Sequence, residues 1–195
     1  MADDSVPARS ERKSSVSDPA LDFGAYLQKG LQILQLDTPT ILSVHRDEDA
    51  LVPGIVFFAV AGVAGGVAQF SLSGMLFGLV MSTLLSFVVV GILNVLAQLF
   101  GARCTFLELY RPIAIAAPIH WVQVVPVLGI FLGLLATIYS MVVAGRVLEV
   151  VGGLPRSKAS LVVLLLLATT LFLCLSFLAL VGTLLVFQTV MSPFS

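Results

Sequence analysis

Nucleophilic catalysis needs a serine or cysteine with a base in reach, a metal site needs clustered His, Cys, Asp or Glu, and ion coupling needs an ionisable group inside the bilayer. Few residues here qualify. The histidines are His45 and His120, and the cysteines are Cys104 and Cys174. Neither cysteine belongs to a CxxC or Cys/His cluster of metal-ligand spacing, so both read as apolar thiols. Cys104, close to a span boundary, also has a setting in which acylation is chemically open. His45 heads the run His45-Arg46-Asp47-Glu48-Asp49, which reads as a solvated charged face in preference to a metal site. His120, within Pro118-Ile119-His120-Trp121, falls well inside an apolar stretch. An intramembrane ionisable group merits a functional hypothesis; the structural alternative leaves His120 neutral near an interface, beside an indole that favours that depth. Glu108 with Arg111, and Arg146 with Glu149, have the spacing of boundary ion pairs. Paired aspartates, a Ser/His pair and an HExxH helix are all missing from the apolar stretches. The expectation is a protein that is not an enzyme, with no catalytic residue, cofactor or metal.

These residues must be positioned by a chain that is 58% hydrophobic and 11% charged, with a mean hydropathy of +1.08. Ordinary soluble domains have about 45–50% apolar and about 25% charged residues. Residues 51–102, 112–145 and 159–195 contain no Asp, Glu, Lys or Arg. A soluble core would need a charged exterior, which those stretches cannot supply. Each is long enough for one or more membrane spans. A net charge of −1 with scattered basic residues provides no face for phosphate, which excludes nucleic acid as a partner.

Residues 1–21 form a polar tail without the apolar core of a secretory signal, so disorder is expected there and the first span must direct insertion. Over residues 22–36, Phe23, Tyr26, Leu27, Leu31 and Leu34 recur at helical spacing, with Gln28, Lys29, Gln32 and Gln35 on the other side. That pattern predicts an amphipathic helix on the membrane surface, or one packing its apolar side on another segment. Residues 22–50 therefore form a cytoplasmic or interfacial segment, with Asp37-Thr38-Pro39 opening a second short helix.

Spans are expected at 51–70, 75–100, 112–127, 128–148 and within 159–188, the last being longer than a bilayer needs. Gly62/Gly66 and Gly74/Gly78 make GxxxG spacings that read as packing residues. With the N-terminus inside, this five-span arrangement places all ten Lys and Arg on the cytoplasmic side and the C-terminus outside. The fold expected is an all-α polytopic membrane bundle of five transmembrane helices, occupying residues 51–190 and preceded by an interfacial amphipathic helix. Phe23, Leu27, Leu31, Lys29, Arg111, Arg156 and Lys158 are the candidate contacts to partners or lipid headgroups.

Val125-Pro126-Val127-Leu128-Gly129, Gly145-Arg146-Val147-Leu148 and Gly153-Leu154-Pro155-Arg156-Ser157-Lys158-Ala159, together with the lead-in Thr38-Pro39-Thr40, resemble the Yip family of Ypt/Rab-interacting membrane proteins. The resemblance implies a cytoplasmic N-terminal region and five clustered C-terminal spans. The Asp-Leu-Tyr-Gly-Pro signature that eukaryotic members carry before the first span is absent; Glu108-Leu109-Tyr110-Arg111-Pro112 follows the second span. The chain is therefore more similar to the bacterial versions, which would place it in the inner or plasma membrane, and small-GTPase binding is not carried over. Two functions remain in contention. One is a scaffold that binds membrane or cytoplasmic proteins or organises lipid, related to trafficking through the resemblance alone. The other is a transport or permeation component built around the Pro-broken third span and His120. Self-association is left open.

Overall fold

The computed structural model describes residues 22–68 and 70–191, so the tail expected to be disordered over residues 1–21 lies outside it. Among the described residues the chain is all-helical. Asp22 caps α1 (Phe23–Leu34) by accepting the Ala25 N–H at 3.1 Å. After Leu36, at a left-handed φ of 63°, Asp37 caps α2 (Thr38–Val44) in the same way, and Pro39 occupies the first turn, where its missing N–H costs nothing. A short 3-10 turn, Glu48–Ala50, leads into α3 (Leu51–Ala68). Ser71 then caps α4 (Leu72–Leu99), and a capping box of Thr105 and Glu108 opens α5 (Phe106–Ile115). A 3-10 stretch, Ala117–Val124, precedes α6 (Gly129–Val150) and α7 (Arg156–Met191).

Four helical segments, Glu48–Ala68, Leu72–Leu99, Phe131–Val150 and Arg156–Leu173, are long and apolar enough to cross a membrane, as a multi-pass protein requires. Their burial pattern is inverted relative to a soluble bundle. Large residues such as Leu76, Leu84, Leu134, Leu164 and Phe172 face outward, while Ala61, Ala64, Ala97, Ala136 and Ala144 are buried. An apolar exterior of this extent marks a surface that something other than water covers. The 36 residues of α7 reach about 54 Å at 1.5 Å per residue, well beyond a hydrocarbon core of about 30 Å.

Residues 112–127 differ from the expected crossing helix. They divide between the end of α5 and the 3-10 stretch, neither of which is long enough to cross alone. Proline causes the break: Pro112 lies inside α5, Pro118 opens the 3-10 stretch, and Pro126 precedes Val127 at a positive φ of 66°. Packing is dense nonetheless, because α5 is wedged among α3, α4 and α6 with Leu109, Tyr110, Ala114 and Ile115 fully buried. The Tyr110 ring stacks on Phe87 at a centroid distance of 4.5 Å and on Phe106 at 5.5 Å, and its hydroxyl shares a 3.0 Å hydrogen bond with Ser86.

The α3–α4 hairpin closes on glycine. A Cβ at Gly62 would strike the Gly78 carbonyl, and one at Gly66 would strike Met75 and Gly74, so the backbones touch where the GxxxG spacing placed small residues. One turn further along, the Ser82 hydroxyl donates to the Phe58 carbonyl at 2.7 Å. On the other side of α3, Trp121 Nε1–H donates to the Phe57 carbonyl at 3.1 Å, and its ring meets that of Phe57 edge to face at 5.6 Å. The succession α3, α4, α7, α6 and the 3-10 stretch thus closes a ring of packed elements.

Gly78→Ala should destabilise the purified protein in detergent by about 1–3 kcal/mol, the typical cost of overpacking. Gly91→Ala, at a position where an added Cβ meets nothing within 4 Å, should leave stability unchanged or raise it by up to about 1 kcal/mol. Thermal unfolding of both variants measures the contrast; equal responses would refute close packing at Gly78.

Candidate functional site

The charged groups gather at the end of the bundle where α3 begins and α4 ends. There α1 and α2 form a collar fastened to the helices by polar ties. Asp47 Oδ2 accepts from both Lys29 Nζ and the Tyr26 hydroxyl, each at 3.0 Å, and the Lys29 ammonium lies 4.5 Å from the Tyr26 ring centroid. Burial, followed by the hydrogen bond and charge of Asp47, pushes the Tyr26 phenol up to about 12. Burial raises the Asp47 carboxyl as well, but the hydrogen bonds from Lys29 and Tyr26 outweigh it and hold the group below its ordinary 3.8. Three further ties reach into the bundle. Arg111 Nη1 donates to the His45 carbonyl at 3.0 Å, Arg146 Nη2 donates to Thr38 Oγ1 at 2.9 Å, and the Tyr139 hydroxyl donates to the Leu34 carbonyl.

The buried stripe of α1 is Tyr26, Gly30 and Ile33. A Cβ at Gly30 would collide with the Ile115 carbonyl, so the helix rests directly on the end of α5. Of the expected apolar stripe, Phe23 and Leu31 remain 40% and 51% exposed, while Leu27 and Leu34 are half-buried. The helix therefore docks on its own protein and leaves part of the expected contact face outward. Lys29, expected among the outward contacts, is paired inward with Asp47.

Several sequence expectations change here. Glu108 makes no ion pair with Arg111 among the described residues; it accepts the Thr105 N–H at 2.7 Å, and that hydrogen bond holds its carboxyl below the ordinary range. Arg111 is drawn to His45 instead. His45 is 8% exposed and so is not a solvated residue. Arg146 and Glu149 do pair, at 2.8 Å. Cys104 is buried, and burial, with Glu108 second, pushes its thiol up, which suppresses the thiolate that acylation would use. Arg156 is exposed at the start of α7, and Lys158 Nζ lies 3.5 Å from the Phe100 carbonyl. The candidate contacts therefore fall into two groups, Phe23, Leu27, Leu31 and Lys29 on α1 and Arg156 with Lys158 on α7, while Arg111 lies beneath the collar.

His120 belongs to a different place. With Gln123, whose Nε2 lies 3.4 Å from His120 Nδ1, it lines a cleft of about 700 Å³ between the hairpin, the 3-10 stretch and α6, to which Leu34 of α1 and Leu166 of α7 also contribute. Ile113, Ala116 and Ala117 line the side of the cleft that faces α5.

Tyr26, Thr38 and Asp47 entered the sequence reading only as parts of the α1 stripe, the α2 opening and the charged run, and their pairing across elements was not foreseen. Tyr26, Gly30 and Ile33 do have helical spacing, and a glycine on that stripe was the available signal that a backbone comes close; it reads equally as a helix-weakening residue. Comparison of the chain with protein-family models, with curated proteins and with solved structures finds no match.

Proposed function

We propose that this chain is a non-enzymatic, multi-pass membrane scaffold of Yip-like organisation, whose cytoplasmic collar presents Phe23, Leu27 and Leu31 to a partner protein or to the bilayer surface. The observation that carries this reading is the fastening of α1. A helix tied through Asp47, Leu34 and Gly30 still leaves Phe23 and Leu31 outward, and a patch held in one geometry costs less ordering entropy on binding. Arg103, Arg156 and Lys158 flank the same end of the bundle, where anionic headgroups would attract them.

The five-crossing topology is part of the proposal. From Pro112 the last four residues of α5 and the 8 of the 3-10 stretch rise by about 6 Å and about 16 Å, most of a hydrocarbon core of about 30 Å. Broken backbone at membrane depth is tolerated where protein covers it, and here α3 and α6 do so. The cleft at His120 favours permeation as a second reading, but its lining has no Asp, Glu, Lys or Arg with which an ion could pair.

A reporter fused after Ser157 should report the same side of the membrane as the N-terminus, and one fused after Ser195 the opposite side; a Ser157 reporter on the side opposite the N-terminus would remove the crossing made by α5 and the 3-10 stretch. The double substitution Phe23→Ser with Leu31→Ser should reduce recovery of co-purifying membrane or cytoplasmic proteins at least about tenfold, as expected for losing two apolar anchors, while leaving thermal unfolding of the bundle unchanged. Undiminished recovery with the same partners would contradict a role for this face.

A further inference from the structure

The cleft beside His120 reaches Leu34 of the collar at one end, and the scaffold reading makes no use of it. Its volume of about 700 Å³ falls within the range of about 300–1,000 Å³ typical of small-molecule sites. One wall is formed by the glycines of the α3–α4 hairpin. Phe77, Met81 and Leu85 of α4 line the cleft and are also 66%, 44% and 60% exposed, so it opens sideways on the face that a bilayer would cover. The opposite side carries uncharged polar groups, His120 and Gln123 from the 3-10 stretch and Thr137 and Ser140 from α6, among apolar residues such as Met141 and Ala144, with no Asp, Glu, Lys or Arg among the lining residues.

These polar groups retain bonding capacity. Thr137 and Ser140 donate their hydroxyl protons to the carbonyls of Gly133 and Thr137, both at 2.8 Å, which leaves their oxygens free to accept. With Gln123 Nε2 donating to His120 Nδ1, the imidazole carries its proton on Nε2, which has no protein partner among the described residues. The site therefore offers N–H donors on His120 and Gln123, and the Gln123 amide oxygen and hydroxyl oxygens as acceptors, in an otherwise apolar setting. A phosphate or ammonium headgroup would be desolvated there without a counter-charge, whereas a hydroxyl and ester carbonyls would be satisfied.

We propose that this cleft binds a neutral lipid of the diacylglycerol class, which enters sideways from the bilayer. Its acyl chains lie against Phe77, Met81 and Leu85. An ester carbonyl accepts from His120 Nε2–H, and the glycerol hydroxyl donates to the oxygen of Thr137 or Ser140. The inference rests on the membrane reading of the chain and is independent of what the collar binds.

The test uses the full chain in phosphatidylcholine nanodiscs, with a diacylglycerol carrying a photoreactive diazirine on its acyl chain as the probe. Adducts should map to α4 near Phe77, Met81 and Leu85, and should be competed by unlabelled diacylglycerol but not by phosphatidic acid. His120→Leu should cut labelling about fivefold, as loss of a hydrogen bond implies, and His120→Gln, which keeps a donor, should restore part of it. Ser140→Trp should block labelling by filling the cleft. If that variant fails to fold, the two His120 substitutions still decide the matter. Three outcomes would overturn the proposal: adducts spread evenly over the outer faces of α4 and α7, equal competition by phosphatidic acid, or an unlabelled cleft that crosslinking shows to be filled by a second copy of the chain.

Discussion

Close backbone approach at glycine is the constraint on which the rest of this structure depends. Between apolar helices in lipid there is no hydrophobic drive to associate, so cohesion comes from dispersion contacts that weaken steeply with distance. Gly62 on Gly78 and Gly66 on Gly74 and Met75 close the hairpin; Gly54 against the Ala114 methyl seats α5 on α3; Gly30 against the Ile115 carbonyl seats α1 on α5. With the C-terminal end of α5 held between α3 and α1, Tyr110 reaches the Phe87 and Phe106 rings and Arg111 reaches the His45 carbonyl. The collar is thus continuous with the bundle through one short helix whose Leu109, Tyr110, Ala114 and Ile115 are fully buried.

Polar groups follow the same economy. Within the bundle the hydroxyls of Ser82, Thr83, Ser86, Thr137, Ser140 and Thr169 bond backbone carbonyls, so little uncompensated polarity faces the apolar exterior. The ion pairs sit at one end, Lys29 with Asp47 and Arg146 with Glu149. The glycine-lined cleft lies toward the other end, near the hairpin turn at Phe70 and Ser71. The cleft extends from there to Leu34 of α1, so the collar forms one of its ends.

Much of this arrangement was legible in sequence, and the failures have physical causes. Uncharged apolar runs marked the four long helices, Asp37 marked the start of α2, and the hairpin glycines were recognisable as packing residues. Pro112 and Pro118 were visible as interruptions, but whether an interrupted run straightens into one helix is decided by what packs on it, here α3 and α6. The Thr105-x-x-Glu108 capping box was available locally and would have reassigned Glu108 from its supposed pairing with Arg111. His45 gave no local sign of burial, because its partner Arg111 comes from a distant part of the chain. The cleft could not be read at all: His120 is one residue in an apolar run until the hairpin, the 3-10 stretch and α6 surround it.

The measurement that tests this account most directly is hydrogen exchange along α1 in the full chain in bilayers, comparing the native protein with Gly30→Leu. Leucine is the better helix former, so a helix merely lying on the membrane surface would be protected at least as well by the substitution. Docking through Gly30 on the Ile115 carbonyl predicts the reverse: slow exchange of the α1 amides in the native chain, and fast exchange in Gly30→Leu with α3 and α4 unaffected. Equal or slower exchange of α1 in the variant would contradict the docked collar.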